Sequence, residues 1–565
     1  MNKRWLVNKT NQEFLEYLSS KTSISTVLTQ ILVNRGFKDV ESIKNFLSPS
    51  LKNLHDPFLM PDMKKAVDRI RTAKENGSTV LVFGDYDADG LTSTALLVSV
   101  LGKIGIKTHF YIPSRIKDGY GLNKDGIRTA QTLGANLLIT VDCGISSEEE
   151  VLMARSLGID VIITDHHEPP EKLPDAVAII NPHRTDSEYP FKYLAGVGVV
   201  YKLCQALEQS TVNSEQLTET EKLLDLVAVG TVADSVPLTG ENRTLVTYGL
   251  KVLNNNSPKP WVQALKEISG MDNKDFHSTL LSYTIIPRIN AVGRLGDSSE
   301  VVEFFLTQDH AKAKETASFI ETQNKKRQKI EGDVYTSALN MLDTEALDSS
   351  IVLYSAGWHP GVLGIVASRL AETFYRPTFL FSIQDNIAKG SGRSIPSFHL
   401  YGGIAKCAEF LLRYGGHSQA VGLSIHTENI SSFKKRINSI IANTISGEAL
   451  VPTVEIDAGV DLSEINFNLI KELNLLEPFG NSNQRPLLGA KGVEVINPKT
   501  VGNNHLKAKS RQKSITIDTI GFSMADALDE IEDSLTMDIV FIPCINEWNG
   551  SKSLQLNLKA LRPSI

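Results

Sequence analysis

The chain is poor in cysteine. Cys143, Cys204, Cys407 and Cys544 are its only four, and they lie far apart with no CxxC pair. That excludes a cysteine zinc site and a disulfide framework and suits a reducing cytosol, so a cytoplasmic protein is expected. Long apolar runs are missing too. No segment offers the roughly 18 uninterrupted apolar residues of a membrane span. The opening, MNKRWLVNKTNQEF, holds no stretch of signal-peptide length. Positive charge is not in surplus: 58 Lys and Arg face 65 Asp and Glu, for a net −7. A polyanion partner must then be held by local basic patches rather than by bulk charge. Internal repeats and low-complexity segments are absent. What remains is an ordinary globular composition, 41% hydrophobic and 22% charged, over 565 residues. That length exceeds one core and implies roughly two to four domains.

Short apolar runs recur at 79–83 (TVLVF), 107–112, 137–142, 160–165 and 176–180, the first four separated by helix-like segments. This spacing predicts βαβ units and a parallel sheet. Segment 310–345 lacks Pro and reads as a long helix between domains. A second α/β pattern follows: strand 350–354, helix 361–373, strands 378–382 and 387–392, helix 402–413, strand 420–425, helix 430–444. From about 452 the chain turns strand-rich, with an acidic helix near 524–533 and an Asn549-Gly550 hairpin turn. This part reads as a small β-barrel.

The run VFGDYDADGLTSTALL puts Asp85, Asp87 and Asp89 where the first buried strand stops. Asp142 ends another strand in VDCG, Asp165, His166 and His167 end a third in TDHH, and Asp234 follows a helix in TVADSVPL. Open α/β sheets bind ligands at that edge. Neighbouring strands are about 4.8 Å apart, so these carboxylates repel unless cations sit among them. Carboxylates with imidazole suit Mn²⁺ or Mg²⁺ better than zinc, and two ions about 3.5–4 Å apart are the economical arrangement. The bland alternative, an Asp as helix N-cap, is open for each residue singly. It explains the convergence poorly.

GDYDADG, VDCG and TDHH resemble the motifs of the DHH phosphoesterase superfamily. PSRIKDGYGLN (113–123), PRINAVGRLG (287–296), NKKRQKIE (324–331), WHPGVLGIVASRL (358–370), KGSGRSIPSFHLY (389–401), YGGHSQAVGLSI (414–425) and LEPFGNSNQRPLL (476–488) resemble its RecJ branch, in order along nearly the whole chain. The resemblance implies a 5′→3′ exonuclease specific for single-stranded DNA, acting in DNA repair and recombination. It implies two divalent cations, with Asp87 on one, Asp89 on the other and Asp142 bridging. His166 and Asp234 complete the second site. His167 contacts the scissile phosphate or orients a ligand, and Asp165 supports the histidines. Relatives carry a ligand His four residues before the first motif aspartate. That position is Phe83 in this chain, and Asp85 is expected to take the place. The ions would activate a water for in-line attack, with no Ser, Cys or Lys nucleophile.

An exonuclease must grip an end. Guanidinium forks and small-residue backbone suit a 5′-phosphate. Arg115, Arg288, Asn290, Ser391 and Arg393 lie in the RecJ-like motifs, whose counterparts line that pocket. Tyr120 can stack on a base. Gly415, Gly416 and His417 let backbone approach a phosphate, or else form a tight turn. Asn324, Lys325, Lys326, Arg327 and Gln328 on the long helix line the strand's path, or form a solvated face. Lys507, Lys509, Arg511 and Lys513 alternate, so on a strand they share a face. They hold single-stranded DNA on an OB-fold, or guard an edge strand. In the 476–488 loop, Ser482, Asn483, Gln484 and Arg485 replace the usual GxGNPxP pattern.

The architecture expected is therefore an N-terminal helical segment (1–50), an α/β parallel-sheet DHH domain (51–305), a connecting helix (306–345), a smaller α/β DHH-associated domain (346–448) and an OB-fold β-barrel (449–565). A monomer is expected, with no membrane contact. A single-strand-binding protein and a helicase are family expectations. Two rivals stand beside it. One is a DHH phosphoesterase for short oligonucleotides or cyclic dinucleotides, against which the β-rich tail argues. The other is an inactive DHH scaffold binding DNA or a replication partner, against which the intact acidic and histidine set argues.

Overall fold

The computed structural model describes residues 4–115, 117–210, 218–255, 258–272, 274–343, 347–532, 534–548 and 550–564. The chain forms two units: Leu54–Val236 with Leu245–Pro452, and Met1–Asn53 with Pro237–Thr244 and Thr453–Ile565.

In the first unit, the apolar runs become strands β1 (Thr79–Gly84), β2 (Lys107–Tyr111), β3 (Ala135–Val141), β4 (Asp160–Thr164) and β5 (Ala178–Ile180). Helices α1 (Ala88–Lys103), α2 (Lys124–Thr132) and α3 (Glu148–Ser156) make the crossovers. The sheet is parallel, in the order β2-β1-β3-β4-β5. Such strands are covered on both faces, which is why TVLVFG is apolar without alternation. Strand order reverses between β1 and β3, the point at which open α/β sheets take ligands, outside the strand C-termini. Helices α4 (Gly196–Gln209), α5 (Leu224–Ala233) and α6 (Ile286–Leu295) follow, then the long helix α7 (His310–Asn340). That helix ends before 345, and residues 344–346 lie outside the described set.

A second, mixed sheet follows, with β6 (Ile351–Ser355), helix α8 (Leu363–Phe374), β7 (Thr378–Gln384) and β8 (Ile387–Arg393) as expected. The predicted helix 402–413 is corrected. Helix α9 stops at Leu400–Ala405, and Leu411–Gly416 is an edge strand, β9, paired to β10 (Ala420–His426). Pairing with β10 outweighs the helical pattern of FLLR, a tertiary override of local propensity. Helix α10 (Ile430–Thr444) closes the domain, and the order is β9-β10-β8-β7-β6.

In the second unit, β11 (Leu488–Val501), β12 (His505–Gln512), β13 (Ile515–Gly521), β14 (Met537–Trp548) and β15 (Ser551–Pro563) run in the order β11-β12-β13-β15-β14. Pairing of β11 with β14 closes the barrel. The hairpin is present, Trp548 facing Ser551, although Asn549 of its turn lies outside the described residues. The acidic helix is Leu528–Glu532, and Asp533 is likewise outside the described set. The N-terminal helices Gln12–Thr22, Thr26–Asn34 and Val40–Leu47 share one core with the barrel: Leu28, Ile31 and Ile43 are buried in the same cluster as Leu488, Ile539 and Phe541.

Candidate metal centre

The aspartates of the first motif divide their work. Asp87 caps α1, its Oδ1 accepting from the amides of Asp89 (3.0 Å) and Gly90 (3.2 Å). The capping reading is thus true of this residue, and a second carboxylate oxygen remains for a ligand. Asp89 lies inside the first turn of the helix, where the amides of Gly196 (2.7 Å) and Val197 (2.8 Å) at the start of α4 hold its two oxygens. That approach demands glycines. A Cβ at Gly196 would sit 2.4 Å from Asp142 Oδ1, and one at Gly230 of α5 2.8 Å from Asp89 Oδ1. Neither glycine stood out in the sequence.

Asp142 follows β3 with φ at 61°, a left-handed conformation uncommon outside glycine. Its Oδ1 lies 3.2 Å from His166 Nε2, and Asp234 Oδ2, at the C-terminus of α5, lies 3.6 Å from the same nitrogen. Three sets of potential ligand atoms each fall within 4.8 Å: Asp85, Asp87 and Asp142; Asp89, His166 and Asp234; Asp142, His166 and His167. Asp142 and His166 belong to two sets each. Asp85 faces this cluster. Phe83 is packed in the core against Tyr111 at 5.4 Å between ring centroids.

The electrostatics call for cations. Burial, and then the other carboxylates, push Asp85 and Asp142 well above the usual carboxyl range. Burial with Asp234 beside it raises Asp89 to about 7, and burial with Asp87 raises Asp234 to about 7. Burial and the neighbouring His167 lower His166 to about 4, leaving a neutral imidazole fit to ligate. Asp85 Oδ1, Asp142 Oδ1, His166 Nε2 and Asp234 Oδ2 are buried without a hydrogen-bond partner. Divalent cations fit these orphaned ligand atoms.

Asp165 has a different task. It is fully buried, and its carboxylate takes the amides of Ile145 (2.9 Å), His166 (2.7 Å) and His167 (3.0 Å) and His167 Nδ1 (2.7 Å). Burial opposes its charge, but these bonds and both histidines outweigh it and hold its pKa below the ordinary value. Burial also opposes the charge of His167, yet Asp165 raises it to about 9. Tyr120 Oη lies 2.9 Å from His167 Nδ1 and 3.2 Å from the Asp142 carbonyl oxygen, so the tyrosine positions the histidine while half its surface stays open. The His417 ring stacks 6.4 Å from that of His167. The loop that carries it is a tight turn, its amide donating to Ala420 (2.8 Å), and a Cβ at Gly416 would strike the Ala420 oxygen at 2.3 Å.

Next to the acidic cluster is an arginine pocket. Arg393 donates to Ser391 Oγ (3.0 Å), and Gly364 near the start of α8 leaves room for both. Burial and Arg115 press the Arg393 pKa down, and burial with Arg115, Arg393 and Arg327 presses Arg294 down. Guanidinium does not give up its proton in proteins, so the crowded charges stay positive and the pocket suits an anion. Arg327 is buried and tied to Glu331 (2.5 Å) and Asn324 (2.6 Å). Lys325, Lys326 and Gln328 are exposed beside it.

Two of the sequence-predicted contact residues are engaged within the protein. Arg288 is bound by Glu321 (2.8 Å) and the Thr284 carbonyl (2.6 Å), and Arg294, six residues on in the same motif, joins the pocket instead. Asn290 spends its Oδ1 on the Ala88 amide (2.8 Å), steadying the aspartate loop. Gly293, whose Cβ would lie 2.4 Å from the Tyr86 carbonyl oxygen, lets α6 close on that loop.

On the barrel, Lys507, Lys509 and Arg511 are exposed on β12 and alternate with buried Leu506, Ala508 and Ser510. Strand β12 is paired on both sides, which removes the edge-strand reading. Of the four-residue stripe, Lys507 and Lys509 have no ion pair among the described residues. Arg511 is bound by Glu494, and Lys513 lies past the strand end on Asp461 (2.7 Å). Lys499 of β11 stands directly opposite Lys507, a like-charged pair that costs stability unless an anion covers it. The altered 480–486 loop is structural: Asn483 is buried, donating to the carbonyls of Leu476 and Pro478 at 2.8 Å each.

The chain matches the DHH family N-terminal domain over residues 79–231, the DHHA1 domain over 348–443 and the RecJ OB domain over 456–560. It is similar to the single-stranded-DNA-specific exonuclease RecJ of Bacillus subtilis (strain 168), 38% identical over 561 residues covering 98% of this chain and 70% of that one. The RecJ of Escherichia coli (strain K12) is 33% identical over 557 residues, 95% of this chain and 96% of the relative. Among solved structures, RecJ in complex with Mn²⁺ from Thermus thermophilus superposes with a TM-score of 0.86 at 29% identity, covering 100% of this chain and 80% of that one. The Mg²⁺ complex from the same source gives 0.80 at 28% identity, with 100% and 79% covered.

Proposed function

This chain belongs to the RecJ family of single-stranded-DNA-specific exonucleases, and from that premise we infer that it hydrolyses single-stranded DNA from the 5′ end to mononucleotides with two divalent cations, Mn²⁺ or Mg²⁺. The observation that carries this reading is the set of orphaned buried carboxylate and imidazole atoms, side by side with the crowded arginines Arg115, Arg294 and Arg393. One site wants cations and the other an anion, as a phosphodiester beside a terminal phosphate requires.

Asp85, Asp87 and Asp142 would hold one ion and Asp89, His166 and Asp234 the other, with Asp142 available to both. When bound, the ions polarise the scissile phosphodiester and offset the charge that builds on it. His167, its Nδ1 proton engaged by Asp165 and Tyr120, presents its other N–H to a phosphate oxygen. Arg115, Arg294, Ser391 and Arg393 grip the 5′-phosphate and so set the polarity. Lys499, Lys507 and Lys509 hold backbone phosphates on the barrel.

Among the described residues no helix is long and apolar enough to cross a membrane. The protein works as a monomer in the cytoplasm, in DNA repair and recombination, on strands a helicase opens and a single-strand-binding protein covers.

The direct test uses chelator-stripped protein, restored with Mn²⁺, on single-stranded DNA blocked at either end by a bulky group. Mononucleotides should appear from the 3′-blocked strand and not from the 5′-blocked one. The opposite pattern rejects the end-pocket assignment.

A further inference from the structure

The sheet face that carries Ser391 and Arg393 continues past them. On β8, side chains at Gly390 and Gly392 would strike Phe381, and Phe379 and Val421, in the core. Lys389, Ser391 and Arg393 therefore share the opposite face. Register extends the pattern across the sheet. Lys389 pairs with Ser424, and Ser424 with Arg413; Ser391 pairs with Gly422, and Gly422 with Gly415. A Cβ built at Gly415 or Gly422 meets nothing within 4 Å, so this floor is open. It is rimmed by Lys389 and Arg413, both exposed, for which no acidic partner occurs among the described residues. Lys389 stands two residues along the strand from Ser391, about 6.8 Å. That is the reach of a short phosphate chain rather than of one phosphate group.

The charge balance agrees. Arg115, Arg294, Arg327 and Arg393 crowd one another, while Glu331, Asp85 and Asp87 are the acids set against them. A single phosphate offsets the pocket and leaves the cations of the row beyond it, Lys389 and Arg413, uncompensated.

We propose that Lys389 and Arg413 form a second phosphate subsite that receives the outer phosphates of a 5′-triphosphorylated strand, making such ends substrates alongside 5′-monophosphate ends. The proposal rests on the placement of the terminal phosphate at Ser391 and Arg393. The bond broken is the same for both ends. A water oxygen bonds to the phosphorus between the first and second nucleotides, and the 3′-oxygen of the first nucleotide leaves with a proton from that water. The strand keeps a new 5′-phosphate, and the first nucleotide departs as a nucleoside 5′-triphosphate.

The experiment compares one single-stranded sequence carrying a 5′-hydroxyl, 5′-monophosphate or 5′-triphosphate, with Mn²⁺, in the parent and in K389Q/R413Q. Released nucleotides are resolved by ion-exchange chromatography. The parent should cleave the triphosphate strand within about threefold of the monophosphate strand and release nucleoside triphosphate first. The double variant should lower kcat/KM for the triphosphate strand by about tenfold, about 1.4 kcal/mol, with the monophosphate strand within about twofold. A parent that cleaves the monophosphate strand and spares the triphosphate strand overturns the proposal. So does a variant that loses both equally, since the row would then hold strand backbone. A parent inactive on every end overturns the exonuclease reading, and this one with it.

Discussion

Asp142 holds a left-handed backbone at φ 61° while its carboxylate touches His166 and closes on Gly196. A non-glycine residue there stores roughly 1–3 kcal/mol of strain, tolerated where the surroundings fix it. Replacement by Ala removes a carboxylate shared by both proposed ions, so hydrolysis should be abolished while the fold survives. Metal titration by calorimetry with a parallel nuclease assay checks this, and activity within about tenfold of the parent with metal bound would reject the two-ion assignment. The raised carboxyls at Asp89 and Asp234, each at about 7 against an ordinary 3.8, give a pH prediction. Without metal, the folded protein binds protons there that the unfolded chain releases, so the contribution is present at low pH and lost as pH rises through about 7. Cation binding needs both groups deprotonated, so it expels protons and tightens over the same range. Melting with chelator should therefore be higher at about pH 5.5 than at about pH 8, and Mn²⁺ should raise it more at the higher pH. Equal Mn²⁺ shifts at both would sink the linkage. Asp85, Asp142 and Asp165 could be read from sequence because each follows a buried strand, and Asp234, at a helix end, only through its motif. Arg294 could not: Arg288 and Arg294 share a motif, and only the packing of α6 decides which one Glu321 neutralises.

Helix α6 is the element whose purpose was hidden. PRINAVGRLG looked like a set of DNA contacts, yet two of its residues brace the aspartate loop from behind. Gly293→Ala would push a methyl into the Tyr86 carbonyl, and displacement of catalytic groups by about 1 Å can cost about a hundredfold in rate. Such a loss in kcat/KM is expected with metal affinity weakened and melting little changed. Asn290→Ala leaves the Ala88 amide without its partner, a loss of about 1–3 kcal/mol. If both variants lose affinity for long DNA while short-substrate turnover is intact, α6 is a DNA contact after all. Strands β1, β3 and β4 were legible because buried parallel strands are continuous apolar runs. Strand β9 was not, because its six residues are nearly all exposed at an edge and carry no alternation. Its identity is fixed by β10, a partner that local periodicity cannot show.

At the scale of the chain, the sequence order misleads about what packs together. The N-terminal helices looked like a separate segment, but their apolar faces complete the core of the barrel unit some four hundred residues away. Hydrophobic pattern announces that a face will be buried and not against what. The division puts each proposed metal and end-pocket residue in one unit and the basic stripe proposed to hold the strand in the other. Lys507 and Lys509 are its cations without an ion pair among the described residues, and each phosphate contact on a single strand adds about −0.7 to the slope of log affinity against log salt. Changing both to Gln should flatten the slope by about 1.4 and weaken binding of long strands. Changing Arg511 and Lys513 instead should do far less, because Glu494 and Asp461 already neutralise them. Cleavage of a 5′-phosphorylated trinucleotide should be untouched by either pair, since its chemistry uses the catalytic unit. Fluorescence anisotropy across a salt series, with trinucleotide turnover measured alongside, reads all of these. If long and short substrates lose activity equally, the stripe supports the fold. If Arg511 and Lys513 matter as much as Lys507 and Lys509, their ion pairs open in solution and the whole stripe meets the strand.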